Sequence, residues 1–211
     1  MGILEVAYLL IVAYLMGSVP TAVWLGKAFY KIDVREFGSG NAGATNTFRV
    51  LGKKAGIPVL LLDIFKGYLA VLLSNLTVYA YSGPEMVSLK ICLGTAAVFG
   101  HIFPILAGFR GGKGVATLVG VALCISPLAC SLVLLVFLAV LLTTRYVSLS
   151  SIIGGISFPF ILNLGLHNTN LGLIIFSTLV AVLLVVTHKH NIVRLFKRQE
   201  SRISLSAKMI R

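Results

Sequence analysis

Charge is scarce in this 211-residue chain, and acid is scarcest. Only 11% of residues are charged, against roughly 25% in an ordinary soluble domain. The acids are Glu5, Asp33, Glu36, Asp63, Glu85 and Glu200. They offer no obvious address for a pair of catalytic carboxylates. An HxxxxD motif is missing, because the positions five residues after the histidines hold Leu106, Gly172, Val193 and Leu195. There is no GxSxG nucleophile elbow either. The three cysteines, Cys92, Cys124 and Cys130, lie in apolar runs with no CxxC pair. They read as small buried hydrophobes, giving no support to a disulfide framework or a zinc site. Repeats, heptads, low-complexity tracts and long linkers are absent. The start, Met1-Gly2-Ile3-Leu4-Glu5, has no basic n-region and no A-x-A-like site follows the first apolar run. That run is expected to be a retained transmembrane helix.

What the chain has instead is apolar surface, at 58% hydrophobic residues. A soluble fold of this size cannot hide so much, so lipid must solvate much of it. A bilayer crossing takes about 20 apolar residues. Seven candidate spans follow, approximately 3–25, 56–73, 87–106, 115–126, 127–143, 151–164 and 171–187, the fourth and sixth short. Ser126-Pro127 is the turn between the fourth and fifth.

The net charge is +12. Aromatic–basic interleaving of the kind that binds RNA is missing, so no nucleic-acid partner is expected. Lys27, Lys31, Arg35, Arg49, Lys53 and Lys54 lie in the first loop; Arg110 and Lys113 lie in the 108–114 loop; Arg145 follows the fifth span. The tail holds Lys189, Arg194, Lys197, Arg198, Arg202, Lys208 and Arg211. With seven spans all four groups share one side, while loops 74–86 and 165–170 have no Lys or Arg. The positive-inside rule then puts the N-terminus outside and the C-terminus in the cytoplasm. The expected architecture is all-α: one integral membrane domain over 1–211, with a basic cytoplasmic tail over about 188–211 that reads as a lipid-surface or frayed segment. Lys66 sits inside the second span. With Asp63 at i, i+3 it shares a helix face, and the two read as a structural pair.

Two loops carry the chemistry. In the first, Gly38, Gly40 and Gly43 alternate with small polar residues. Glycines let successive N–H groups face one anion. Ser39, Asn41, Thr45 and Asn46 add neutral donors, and Arg49 adds a fork that fits two phosphate oxygens. An ordinary turn is the competing reading. In the second, Lys113 stands among Gly111, Gly112 and Gly114 at the start of a helix, where an anion is favoured. A nucleotide P-loop is not expected: it needs glycine at 107 and Ser or Thr at 114, where this chain has Ala107 and Gly114. Thr143–Ser151 reads as a helix N-cap with a basic flank. His188 and His190, at i, i+2, have no nearby carboxylate or thiolate, so no metal is expected. No cofactor is expected.

At these residues the chain resembles a known family. Gly17-Ser18-Val19-Pro20, the runs GSGNAGATNTFRVLGKKAG (38–56) and GHIFPILAGFRGGKGVAT (100–117), Arg145-Tyr146-Val147-Ser148, and His188-Lys189-His190-Asn191-Ile192-Val193-Arg194-Leu195 are similar to the bacterial acyl-phosphate:glycerol-3-phosphate acyltransferases of the PlsY type. The matches run in order along nearly the whole chain. The resemblance implies a seven-span, multi-pass enzyme of the bacterial inner (cytoplasmic) membrane. It would move a fatty acyl group from acyl phosphate to the 1-hydroxyl of glycerol 3-phosphate, giving lysophosphatidic acid and inorganic phosphate, the first acylation of phospholipid synthesis. Ser39, Asn41, Thr45, Asn46 and Arg49 would bind in the first loop with Gly40. Lys113 with Gly111, Gly112 and Gly114 would hold phosphate. Ser148 or Ser151, His188, Asn191 and Arg194 would complete the pocket. The chain departs from the family near its end, where Arg198-Gln199-Glu200 replaces a frequent Gly-Thr-Glu.

Acyl phosphate is a mixed anhydride with a good leaving group, so positioning and charge stabilisation are the main demands on the protein. The expected mechanism is single displacement. Lys113, Arg49 and loop N–H groups would stabilise the developing charge, and the proton would pass to a substrate phosphate. His188 is the alternative base, and His101 is read as structural. The resemblance alone favours acyl phosphate over acyl-CoA. The competing class is a transporter or channel for a phosphate-type anion, compatible with the glycines and the basic face.

Overall fold

The computed structural model describes residues 3–76 and 84–203. Lys208 and Arg211 of the basic tail, and residues 77–83 of the 74–86 loop, lie outside the described residues. All the regular structure among the described residues is helical. The described residues fall into two compact units, one running to Ile125 and the other starting at Ser126.

The first unit holds α1 (Ile3–Gly17), α2 (Thr21–Tyr30), α3 (Ala44–Leu51), α4 (Lys53–Leu72), α5 (Pro84–Ile102) and α6 (Val115–Ile125). Pro20, which has no N–H, separates α1 from α2. Helices α1 and α5 approach until backbone meets backbone. A Cβ on Gly17 would strike the Ala97 carbonyl, and one on Gly100 would strike the Tyr14 carbonyl. Helices α4 and α6 repeat the device with Gly67 against Thr117 and Gly120 against Ile64. Small residues are what let helices pack this closely where lipid supplies no hydrophobic drive between them.

One charged cluster is buried in this unit. The Asp63 carboxylate Oδ1 accepts from Thr21 Oγ1 at 2.6 Å and pairs with Lys66 Nζ at 2.7 Å. Lys66 Nζ also donates to the Val19 carbonyl at 2.9 Å, next to the break at Pro20. Asp63 and Lys66 are therefore a structural pair that also holds the α1–α2 break. His101 Nδ1 stands 3.6 Å from the same carboxylate oxygen.

The second unit holds α7 (Pro127–Thr144), α8 (Val147–Phe160), α9 (Leu171–Thr187) and α10 (Lys189–Phe196). Pro127 opens α7 at a position where its missing N–H costs nothing. Gly155 of α8 admits the Leu184 side chain of α9. Pro159 disturbs the end of α8, and a π-helical turn follows over Ile161–Gly165.

Large apolar side chains face outward along these helices: Leu61 is 59% exposed, Leu135 61%, Leu142 73% and Leu179 61%. Exposure on that scale identifies a lipid-facing surface. Among the described residues five helical stretches are long and apolar enough to cross a membrane: Ile3–Tyr30, Lys53–Leu76, Glu85–Ala107, Pro127–Thr144 and Val147–Gly165. Helices α9 and α10, bent by 61° at His188, make a sixth if counted together. Each of the seven apolar segments read from the sequence is helical, but α6 has 11 residues, about half a bilayer crossing.

Candidate active site

The first unit presents two loops whose shape comes from a few fixed side chains. Asn46, on α3, is 2% exposed. Its Nδ2 donates to the carbonyls of Val34 (2.8 Å) and Phe37 (3.1 Å). Its Oδ1 accepts from Ser39 N (2.8 Å) and Ser39 Oγ (3.1 Å). Two donors and two lone pairs are all that an amide has, so Asn46 is fully engaged in shaping the loop. Gly38 is required beside it, with φ +62° and a Cβ position occupied by Asn46 Oδ1 and Val50. Thr45 and Arg49 stand one turn apart on α3, both exposed. Ser39 and Gly40 are exposed as well, and Asn41 is half-buried.

The second loop leaves α5 and turns back on it. Phe109 N donates to the Pro104 carbonyl (2.8 Å), Gly111 N to Ile102 O (3.2 Å) and Gly112 N to His101 O (3.1 Å). Gly112 lies against the His101 ring, where a Cβ would collide with Nε2. His101, 6% exposed, thus lies between the buried Asp63 and the back of the glycine loop. Lys113 follows, and α6 begins after Gly114, with Leu118 N donating to the Gly114 carbonyl. Lys113 therefore stands at a helix N-terminus.

The expectation that glycine N–H groups face an anion changes here. The N–H groups of Ser39, Gly40, Gly111 and Gly112 all donate within the protein, Gly40 N to the Phe37 carbonyl. Short loops at a membrane surface must first satisfy their own backbone.

Asp33 and Arg35, absent from the sequence-derived site, join the two loops. Asp33 Oδ1 accepts from Arg35 N (3.0 Å) and Nε (2.9 Å), and Oδ2 pairs with the guanidinium at 2.7 Å and with Lys27 at 3.3 Å. Arg35 Nη1 then donates to the carbonyls of Ala107 (2.8 Å) and Arg110 (3.3 Å). The Arg35 hydrogen bonds hold the Asp33 carboxyl well below the usual carboxylate range, and Asp33 raises the Arg35 guanidinium in turn. In the sequence Arg35 reads only as one of many loop cations.

The second unit has a polar cluster of its own. Glu200 Oε1 accepts from Ser148 Oγ (2.8 Å) and Asn191 Nδ2 (2.6 Å), and Oε2 from Arg194 Nε (2.7 Å). Burial opposes the charge on Glu200, but the donors Arg194, Asn191 and Ser148 outweigh it and hold the carboxyl below its usual range. The Glu200 segment is therefore part of the structure rather than a solvated extension. Ile203 N donates to the Arg145 carbonyl (2.9 Å), and Arg202 lies over the Tyr146 ring at 5.1 Å. Ser151 Oγ is turned back to the Val147 carbonyl. His188, 3% exposed, sits at the α9–α10 bend with Nδ1 2.8 Å from the Leu184 carbonyl. A carbonyl can only accept, so Nδ1 carries the hydrogen and Nε2 is the basic nitrogen of the neutral ring. Among the described residues no group of three or more His, Cys, Asp or Glu could hold a metal ion.

Lipid-facing helices and cation-bearing polar loops define a multi-pass helical membrane protein. Its sequence narrows this further: the family model described as glycerol-3-phosphate acyltransferase matches residues 7–198. Curated relatives agree. The glycerol-3-phosphate acyltransferase of Chlorobaculum tepidum is 40% identical, covering 95% of this chain and 97% of the relative. The enzyme of the same name from Staphylococcus carnosus is 44% identical, covering 94% and 98%. The fold matches the crystal structure of PlsY, an integral membrane glycerol 3-phosphate acyltransferase. Its glycerol 3-phosphate form gives a TM-score of 0.84 at 36% identity, covering 94% of this chain and 96% of that one. Its lysophosphatidic acid form gives 0.81 at 35% identity, covering 94% and 95%. The chain belongs to the glycerol-3-phosphate acyltransferase family.

Proposed function

We propose that this protein transfers a fatty acyl group from acyl phosphate to the 1-hydroxyl of glycerol 3-phosphate, releasing lysophosphatidic acid and inorganic phosphate. Family membership decides for an enzyme over an anion transporter. The observation that carries the reading is the frame joining the two loops: Asn46 shapes the first, and Arg35 bonds it to the turn before Lys113. Fixed loops bearing Arg49 and Lys113 suit two substrates that each carry a phosphate.

In the proposed step the glycerol hydroxyl oxygen bonds to the acyl carbonyl carbon, and the bond from that carbon to the phosphate oxygen breaks. Phosphate leaves with the electron pair, and the hydroxyl proton passes to a phosphate oxygen. Lys113 and Arg49 stabilise the developing charge. Ser39, Gly40, Asn41 and Thr45 bind in the first loop, with Asn46 holding its shape. Gly111, Gly112 and Gly114 let the second loop approach. In the second unit Ser148, Ser151, His188, Asn191 and Arg194 are assigned to substrate. His188 Nε2 is the alternative proton acceptor. Seven spans, an external N-terminus, a cytoplasmic C-terminus and the bacterial inner membrane complete the reading, supported by the sequence pattern in which a count of seven spans puts all four basic segments on one side.

The test is an assay of purified protein with glycerol 3-phosphate and either acyl phosphate or acyl-CoA, run side by side. Lysophosphatidic acid forming only with acyl phosphate is the expected result, and formation only with acyl-CoA refutes the donor. His188→Gln separates the two proton routes, because near-total loss of the chemical step with binding intact refutes transfer to phosphate.

A further inference from the structure

Four of the five N–H donors of the Arg35 guanidinium are engaged within the protein. Nε and Nη2 face the two Asp33 oxygens at 2.9 Å and 2.7 Å. Nη1 goes to the Ala107 and Arg110 carbonyls at 2.8 Å and 3.3 Å. The Arg35 side chain is 15% exposed and that of Asp33 10%. Asp33 also receives Arg35 N at 3.0 Å, so it fixes both the backbone and the side chain of Arg35. On one side of Arg35, the Val34 and Phe37 carbonyls meet Asn46, which holds Ser39. On the other, Arg110 is followed by the anchored Gly111-Gly112 pair and then Lys113. One hydrogen-bonded chain therefore runs from Ser39 to the residue three before Lys113, through a single guanidinium.

We propose that Asp33 and Arg35 form a positioning clamp that sets the first phosphate loop against the second, with Arg35 acting on the reaction through Lys113 and Ser39 rather than by touching substrate. The proposal rests on the acyltransferase reading above. Only arginine meets the demand, because one planar group must hold a carboxylate side-on and still have a nitrogen for two carbonyls across the gap. A lysine ammonium keeps the charge but cannot span both. The Ala107 and Arg110 carbonyl oxygens, engaged by Arg35, are kept off the phosphate site, where their partial negative charge would oppose an anion.

The experiment is a double-mutant cycle on the purified full chain, read as kcat/KM with acyl phosphate and glycerol 3-phosphate. Arg35→Gln is expected to lose about 10²-fold, the scale of a small misplacement of catalytic groups. Arg35→Lys is expected to lose nearly as much, despite its charge. In a Lys113→Ala background the same Arg35→Gln change should cost less than about threefold, because coupled residues are not additive. Asp33→Asn, which keeps the shape and removes the charge, runs through the same cycle, and melting in detergent is recorded for every variant. Full rescue by Arg35→Lys, an unchanged rate in Arg35→Gln, or equal losses in both backgrounds overturns the clamp. If wild-type protein makes no lysophosphatidic acid, the acyltransferase reading itself falls, and the clamp with it. An active wild type with additive losses removes the clamp alone.

Discussion

Replacing Asn46 tests whether this residue serves the loop or the ligand. Asn46→Ala deletes four hydrogen bonds, two given to Val34 and Phe37 and two received from Ser39. Each is worth about 1 kcal/mol net, but water replaces some of them. Ser39 and Phe37 are exposed, and the Phe37 carbonyl keeps its bond from Gly40 N. Val34 is fully buried, so its carbonyl has no water to turn to and keeps only the long bond from Phe37 N at 3.4 Å. The local cost is therefore about 2–3 kcal/mol rather than four full bonds. That corresponds to a loss of about 30- to 150-fold in protection against opening. Asn46→Asp should be worse, because a carboxylate oxygen then faces two carbonyls and its charge is buried. The assay is hydrogen exchange by mass spectrometry on substrate-free protein, followed over 33–43. Faster exchange there in both variants, with Asp worse than Ala, is the expected order. Unchanged exchange together with lost activity would refute the reasoning and return Asn46 to the ligand.

Lys113→Ala should lower turnover about 10²- to 10³-fold, the effect of removing one oxyanion-type donor; unchanged turnover in the lysophosphatidic acid assay removes Lys113 from the site. Gly112→Ala puts a methyl group into the buried His101 ring, and a shifted Lys113 loop should cost about 10²-fold in kcat/KM; a rate within about twofold of wild type would contradict that packing. Glu200 has a depressed pKa, so its stabilisation is complete above the unfolded value of about 4.3 and is lost only as pH falls through the lower folded value. Exchange over 189–200 should therefore accelerate only at acid pH in wild type. In Glu200→Gln it should be fast and independent of pH once the intrinsic chemical rate is removed, and a variant that keeps the wild-type profile refutes the assignment.

Much of the fold was legible in the sequence. A helix that meets lipid must be apolar all round and must satisfy its own backbone, so composition and run length alone mark it. The apolar runs are helical for that reason, although the first is broken at Pro20 and only five stretches, or six with the bent α9–α10 pair, are long enough among the described residues to cross a membrane. The close approaches of Gly17 to Ala97, Gly100 to Tyr14, Gly67 to Thr117 and Gly120 to Ile64 were not legible, because a glycine's neighbour on another helix leaves no mark in either run. The two loops stood out as donor-rich segments without acids, and ordered motif similarity carried the family.

The tertiary structure decided what individual side chains do. Asn46 and Asn41 look alike in the sequence, yet one is buried with all its hydrogen bonds made and the other is half-buried. Arg35 was one cation among six in its loop, and only its simultaneous bonds to Asp33 and to the 107–110 turn single it out. Glu200 was an isolated acid in a basic tail until its three donors, 6, 9 and 52 residues away, were in place. Sequence specifies what a segment must do with its own backbone, through period, apolar length and glycine. Which polar groups meet across 50 or 70 residues is set by the fold, because a hydrogen bond depends on distance and direction in space.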